Sequence, residues 1–202
     1  MKKIFLFLIL ILSSCIKITV TSSDVANKIT RLNREIPQVK ADLALEKQLK
    51  RNIEVGKKTF LYSNNYRDFG SYDLHVIEGR VLLTGIVHNE EARRYIIGKI
   101  TENVKVRELL DELVVSRENR KNVSDFFIRR LIKTKIFLIS KIRSLNYEIS
   151  VVNGYAYIIG IASGDEELEF IAKSISTVRG VKEVVSYTIT VDSAKKIKLE
   201  YL

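Results

Sequence analysis

Residues 151–160, Val-Val-Asn-Gly-Tyr-Ala-Tyr-Ile-Ile-Gly, spell a strand, a two-residue turn, a second strand and a closing glycine. Asn153-Gly154 supplies the pair of positive φ angles that a tight hairpin turn needs. Seventy-five positions earlier the chain repeats itself as Val76-Ile77-Glu78-Gly79-Arg80-Val81-Leu82-Leu83-Thr84-Gly85. Gly79 aligns with Gly154 and Gly85 with Gly160. A hairpin that recurs with both glycines in register marks an internal duplication, and the duplication decides the architecture.

The elements around each hairpin follow one order. Leu45, Leu49 and Ile53 recur at i+4 and define the buried stripe of a helix that begins near Ala41. A loop over residues 56–70, strands near 72–77 and 80–87, a helix from Asn89 to about Glu102 and a strand over 107–115 follow. The second copy gives a helix over 125–139, a hairpin over 147–161, a helix over 164–177 and a strand over 181–191. Ser163-Gly164-Asp165-Glu166 matches a capping box. Arg179-Gly180-Val181 lets the chain reverse, whereas the first copy has Val104-Lys105-Val106 there. From Asp42 to Gly79 the first copy runs 37 residues, against 29 from Asp125 to Gly154. Each copy is therefore α-β-β-α-β, and the fold class is α+β: two tandem domains, each a three-stranded sheet packed with two helices.

Composition limits the chemistry. The chain has 202 residues, 46% of them apolar, and a net charge of +10. That charge attracts anionic partners without choosing among them. One Cys and two His, His75 and His88, exclude an intramolecular disulfide and most zinc sites. His88 and Glu91 lack a third ligand. Asp73 and His75 share a strand face but have no Ser or Cys nucleophile beside them. Gly79 and Gly154 are turn glycines, not a phosphate loop. No catalytic residues, metal or cofactor are expected, and the chain does not read as an enzyme.

The N-terminus has a basic leader, Met1-Lys2-Lys3, then nine apolar residues from Ile4 to Leu12. That run is too short to span a bilayer core of roughly 30 Å and reads as a secretory signal. Leu12-Ser13-Ser14-Cys15 resembles the bacterial lipobox. The resemblance implies cleavage after residue 14 and lipid attachment at Cys15. With Ile16 rather than Asp after the cysteine, the sorting pattern implies the outer membrane. Residues 15–40 are expected to form a tether with a short helix to about Arg34, interrupted by Pro37. Residues 41–116 form the first domain, 117–123 a polar linker, 124–192 the second domain and 193–202 a tail.

The order helix, strand, Asn/Glu-Gly, strand ending in Gly, acidic-start helix and Gly-Val strand resembles the BON domain, twice over. Two such domains behind a lipobox resemble the dual-BON outer-membrane lipoproteins, over about residues 41–191. The resemblance implies that the second domain binds phospholipid, chiefly through its first helix and an aromatic that falls on Phe127.

The residues themselves point to the same helix. At 100° per residue, Phe127, Ile128, Leu131, Ile132, Ile136, Leu138 and Ile139 form a broad apolar arc, read as the core face. Arg129, Arg130, Lys133 and Thr134 lie opposite, with Phe126 among them and Phe137 beside them. Aromatic rings between cations suit an anionic phospholipid surface. The candidate site is thus Phe126, Phe127, Arg129, Arg130, Lys133 and Phe137, on a lipid-anchored protein at the periplasmic face of the outer membrane. The resemblance implies a role in outer-membrane integrity. An alternative is an adaptor that binds another envelope protein through this helix or the first domain. Nucleic acid suits the charge but not the export signal.

Overall fold

Two carboxylates hold the two hairpins, and they show why the copies are equivalent. In the computed structural model, which describes residues 32–63, 69–117 and 123–200, Asn153 and Gly154 have φ of 53° and 84°. Their amides donate to the Asp125 carboxylate at 2.7 and 2.9 Å. In the first copy Glu78 and Gly79 have φ of 54° and 70°. Their amides donate to Asp42 at 2.8 and 3.1 Å. The turn carbonyls are used alike: Gly79 O accepts from Arg107 N and Gly154 O from Lys182 N, both at 2.9 Å. Each helix is thereby pinned to the tip of its hairpin. The second glycines serve close approach: a Cβ on Gly85 would lie 2.3 Å from Ser71 O, and one on Gly160 would lie 2.8 Å from Asn146 O.

The first copy comprises α1 (Ile36–Ser63), β1 (Gly70–Ile77), β2 (Arg80–Val87), α2 (Glu90–Thr101) and β3 (Glu108–Val115). The second comprises α3 (Val123–Leu138), β4 (Tyr147–Val152), β5 (Tyr155–Ala162), α4 (Asp165–Ser176) and β6 (Glu183–Thr190), followed by α5 (Val191–Glu200). In each sheet the middle strand pairs antiparallel with its hairpin partner and parallel with the third strand, which the second helix reaches by crossover. One face of each sheet carries the helices. Leu45, Leu49 and Ile53 of α1 and Ile96 and Ile100 of α2 pack on Leu74, Val81 and Leu83. Ile128, Ile132 and Ile136 of α3 and Ile171 and Ile175 of α4 pack on Ile149 and Ile158.

The other faces of the two sheets meet. Ile77, Leu82 and Ile86 join Val152, Tyr157, Ile159 and Ile161 in a third apolar core. The two domains therefore stack as four layers, helix–sheet–sheet–helix. This explains the near-continuous burial along β2 and β5, which are covered on both faces. Tyr187 of β6 donates to the Glu112 carboxylate of β3 across this boundary. Burial, then the Glu112 carboxylate, pushes its phenol up to about 12.

Several boundaries differ from expectation. α1 begins at Ile36, inside the expected tether, so Pro37 starts the helix instead of breaking it. In a first turn the missing N–H is of no consequence. Asn33 and Arg34 are also part of the fold. Asn33 bonds Asn146 Oδ1 at 3.1 Å and Ile161 O at 2.9 Å, and Arg34 pairs with Asp42 at 3.1 Å. Residues 56–63, expected as loop, continue α1. There Phe60 packs on Phe69 and Tyr95 at 5.1 and 4.7 Å. Most of the expected tail belongs to α5, which begins at Val191 inside the expected second domain and extends the inter-sheet core with Val191 and Ala194. At α4 the cap runs from Ser163 to Glu167, not Glu166. Glu167 also accepts from the Tyr147 hydroxyl at 2.7 Å. The expected signal segment, Cys15 and the expected tether to residue 31, with residues 64–68 and 118–122, lie outside the described residues.

Candidate functional site

Among its described side chains the helix α3 buries an i+4 stripe, Ile128, Ile132 and Ile136. The tight fit of this stripe is visible at Gly180, where a Cβ would lie 2.8 Å from Ile128 Cδ1. Phe126, Phe127, Leu131, Phe137 and Leu138 are each more than half exposed, Leu138 at 74%. This corrects the expected core arc, which included Phe127, Leu131 and Leu138. A flat sheet accepts one ridge of a helix, and the remaining apolar side chains face out. The Phe126 and Phe127 rings meet edge-on at 5.7 Å and present one aromatic corner.

The cations are placed unequally. Arg129 reaches away from this surface to Asp73 of β1, at 2.9 Å. Ser150 donates to the same Asp73 oxygen at 3.3 Å. Lys133 lies 3.5 Å from Glu148 of β4. Arg130 is exposed and makes no ion pair among the described residues. At 100° per residue it falls between Phe126 and Phe127, inside the apolar arc. Of the three basic residues expected to act together, the structure thus leaves one, Arg130, on the exposed apolar face.

Asp73 and His75 do share a face, and it is the face turned toward the second domain. His75 Nδ1 lies 3.8 Å from Glu148. Burial lowers the pKa of His75, against the pull of Glu148, Glu46 and Asp73.

The first copy offers no aromatic counterpart: Leu43 and Val55 are exposed at the positions of Phe126 and Leu138, but Gln48 stands at Leu131 and breaks the apolar arc. By the Asp42–Asp125 register, Leu43 and Ala44 stand where Phe126 and Phe127 do, and Glu54 stands at Phe137. The folded parts carry little net charge: twelve Lys/Arg against twelve Asp/Glu over residues 41–116, and nine against eight over 124–192. Nine of the ten surplus positive charges therefore reside in the flanking and linking segments. No helix among the described residues is long and apolar enough to cross a membrane.

A duplicated αββαβ protein with an aromatic face on the first helix of its second unit is the class that fold and surface define. Residues 124–193 match the BON domain family. Over 138 residues the chain is 32% identical to an "Uncharacterized protein in gshII 5'region" of Anaplasma centrale, covering 67% of this chain and 89% of that one. The chain belongs to the family of that protein, and its second unit is a BON domain. Two solved structures of CdsD, a structural protein of the type III secretion system of Chlamydia trachomatis, show a faint likeness. One, a C-terminal domain, is 11% identical with a TM-score of 0.29, covering 55% of this chain and 52% of its own. The other is 12% identical with a TM-score of 0.30, covering 80% and 70%.

Proposed function

We propose that the protein is a cell-envelope lipoprotein of two BON-like domains, anchored at Cys15, whose second domain docks on phospholipid through α3. It would thereby support the integrity of the outer membrane. The observation that carries the reading is the exposed arc of Phe126, Phe127, Leu131, Phe137 and Leu138 around Arg130. Each of these apolar side chains is at least half exposed, so its transfer into the headgroup boundary is worth roughly 1 kcal/mol. Arg130 adds about 1 kcal/mol at an anionic surface. Less the cost of association, this gives weak binding that suffices for a tethered domain, because a tether supplies millimolar effective concentration. The unmatched first unit, which shares the hairpin clamp, is read as a diverged copy of the same domain.

Co-sedimentation of the full chain with phosphatidylglycerol vesicles tests the proposal. The protein should pellet with the vesicles, and Phe126→Ser/Phe127→Ser should lose at least tenfold in affinity. If the wild-type protein stays in the supernatant, the lipid reading fails and the adaptor reading takes its place.

A further inference from the structure

The docking helix carries four cations: Lys135 donates to the Thr177 hydroxyl, and of the other three, two are held by carboxylates. Asp73, on the first domain, takes Arg129 at 2.9 Å, and Glu148 takes Lys133 at 3.5 Å. On a helix of 100° per residue, Arg130 lies about 30° from the centre of the apolar arc, Lys133 about 90° and Arg129 about 130°. Resting on the docking surface described above, we propose that Asp73 and Glu148 set its lipid selectivity by withholding Arg129 and Lys133 from the headgroups. The surface then meets the membrane as five apolar side chains and one cation. It reads loose lipid packing more than headgroup charge, as amphipathic surfaces of low charge do.

Three observations converge on this. Both carboxylates lie on the inter-domain side of the fold, and the Asp73–Arg129 pair is made between the two domains, whereas Glu148 holds Lys133 within the second. Asp73 is also held in place by Ser150, so it is positioned from both domains. The near-neutral composition of the two folded units leaves no broad basic field to compensate. Both ion pairs are partly exposed, with side-chain exposures of 33% and 47% for Arg129 and Asp73. They are therefore weak enough that losing one carboxylate returns its cation to solvent and leaves the fold intact.

The test uses the full chain and vesicles of phosphatidylcholine with and without phosphatidylglycerol, over a salt series. Wild-type binding should depend only shallowly on salt, as one cation requires, and Arg130→Gln should weaken it about fivefold. Asp73→Asn should tighten binding to the anionic vesicles about fivefold, steepen the salt dependence, and leave phosphatidylcholine binding unchanged. Asp73→Asn/Arg129→Gln should return to the wild-type value. Glu91→Gln makes the same charge change on α2 and frees Arg94, its partner at 3.2 Å. It should bind like wild type. The inference is overturned if Asp73→Asn binds no tighter, if Glu91→Gln gains as much, or if the wild type shows the steep salt dependence of a three-cation surface. In those cases docking itself stands. If no variant binds any vesicle, the docking reading and the inference fall together.

Discussion

Replacing Asp125 by Ala removes one end of the clamp that ties α3 to its hairpin. The carboxylate accepts two backbone amides, at 2.7 and 2.9 Å, from Asn153 and Gly154. Hydrogen bonds to a charged group contribute about 1.5–3 kcal/mol each. Asn153 is only half buried, so water recovers part of the loss at that amide. The expected cost is about 3 kcal/mol. Asp42→Ala should cost more, roughly 4–5 kcal/mol. Asp42 is 3% exposed and also holds Arg34, itself 7% exposed, so its removal strands a buried guanidinium. Asp125→Asn keeps one acceptor oxygen and should lose about half as much as Asp125→Ala. Urea unfolding of the full chain followed by circular dichroism reads these values as shifts in midpoint at constant slope. A loss below about 1 kcal/mol for Asp125→Ala, or a smaller loss at Asp42 than at Asp125, would refute the argument that these carboxylates carry the hairpins.

Because the two sheets share one core, Leu82→Ala should cost about 2–5 kcal/mol and leave a single unfolding transition. Two separate transitions in the wild type would contradict the stacked arrangement. His75 gives a pH dependence. Burial holds it below its ordinary pKa in the fold, despite Glu148, Glu46 and Asp73, while Lys50 acts in the same direction as burial. The unfolded chain therefore binds the proton first, near pH 6.5, and stability present above that pH is lost as pH falls below it. A melting series from pH 7.5 to 5 should show this decline, and His75→Gln should flatten it. Cys15→Ala should abolish labelling by radioactive palmitate and leave unprocessed precursor; persistent labelling would remove the anchor from the account.

Much of this was legible in the sequence because the signals were local. Two glycines in register at each hairpin exposed the duplication, and Leu45, Leu49 and Ile53 marked their own buried stripe. The Asp42-to-Gly79 and Asp125-to-Gly154 spacings even recorded the clamp, although only the structure shows the carboxylates on the turn amides. The misreadings were questions of which surface meets which. The apolar residues of α3 cover a wide arc, and periodicity cannot say which half meets the sheet. The pattern therefore places Phe127, Leu131 and Leu138 inward, while the sheet buries Ile128, Ile132 and Ile136. Arg129 and Lys133 looked free because their partners, Asp73 and Glu148, lie 56 and 15 residues away. The stacking of the sheets left one trace, the unbroken apolar run of β5, which marks a strand covered on both faces. Pro37 looks like a break until the helix start at Ile36 is known, which places it in the first turn.

The central claim is that the exposed face of α3 enters a lipid surface and its counterpart in the first domain does not. The chain contains no Trp, so a single introduced indole reports without interference from another. Phe127→Trp places it in the docking arc, and Ala44→Trp places it at the equivalent position of α1. On addition of phosphatidylglycerol vesicles to each full-length variant, emission from the first should shift to the blue and that from the second should not move. Equal shifts, or none at position 127, would contradict the account.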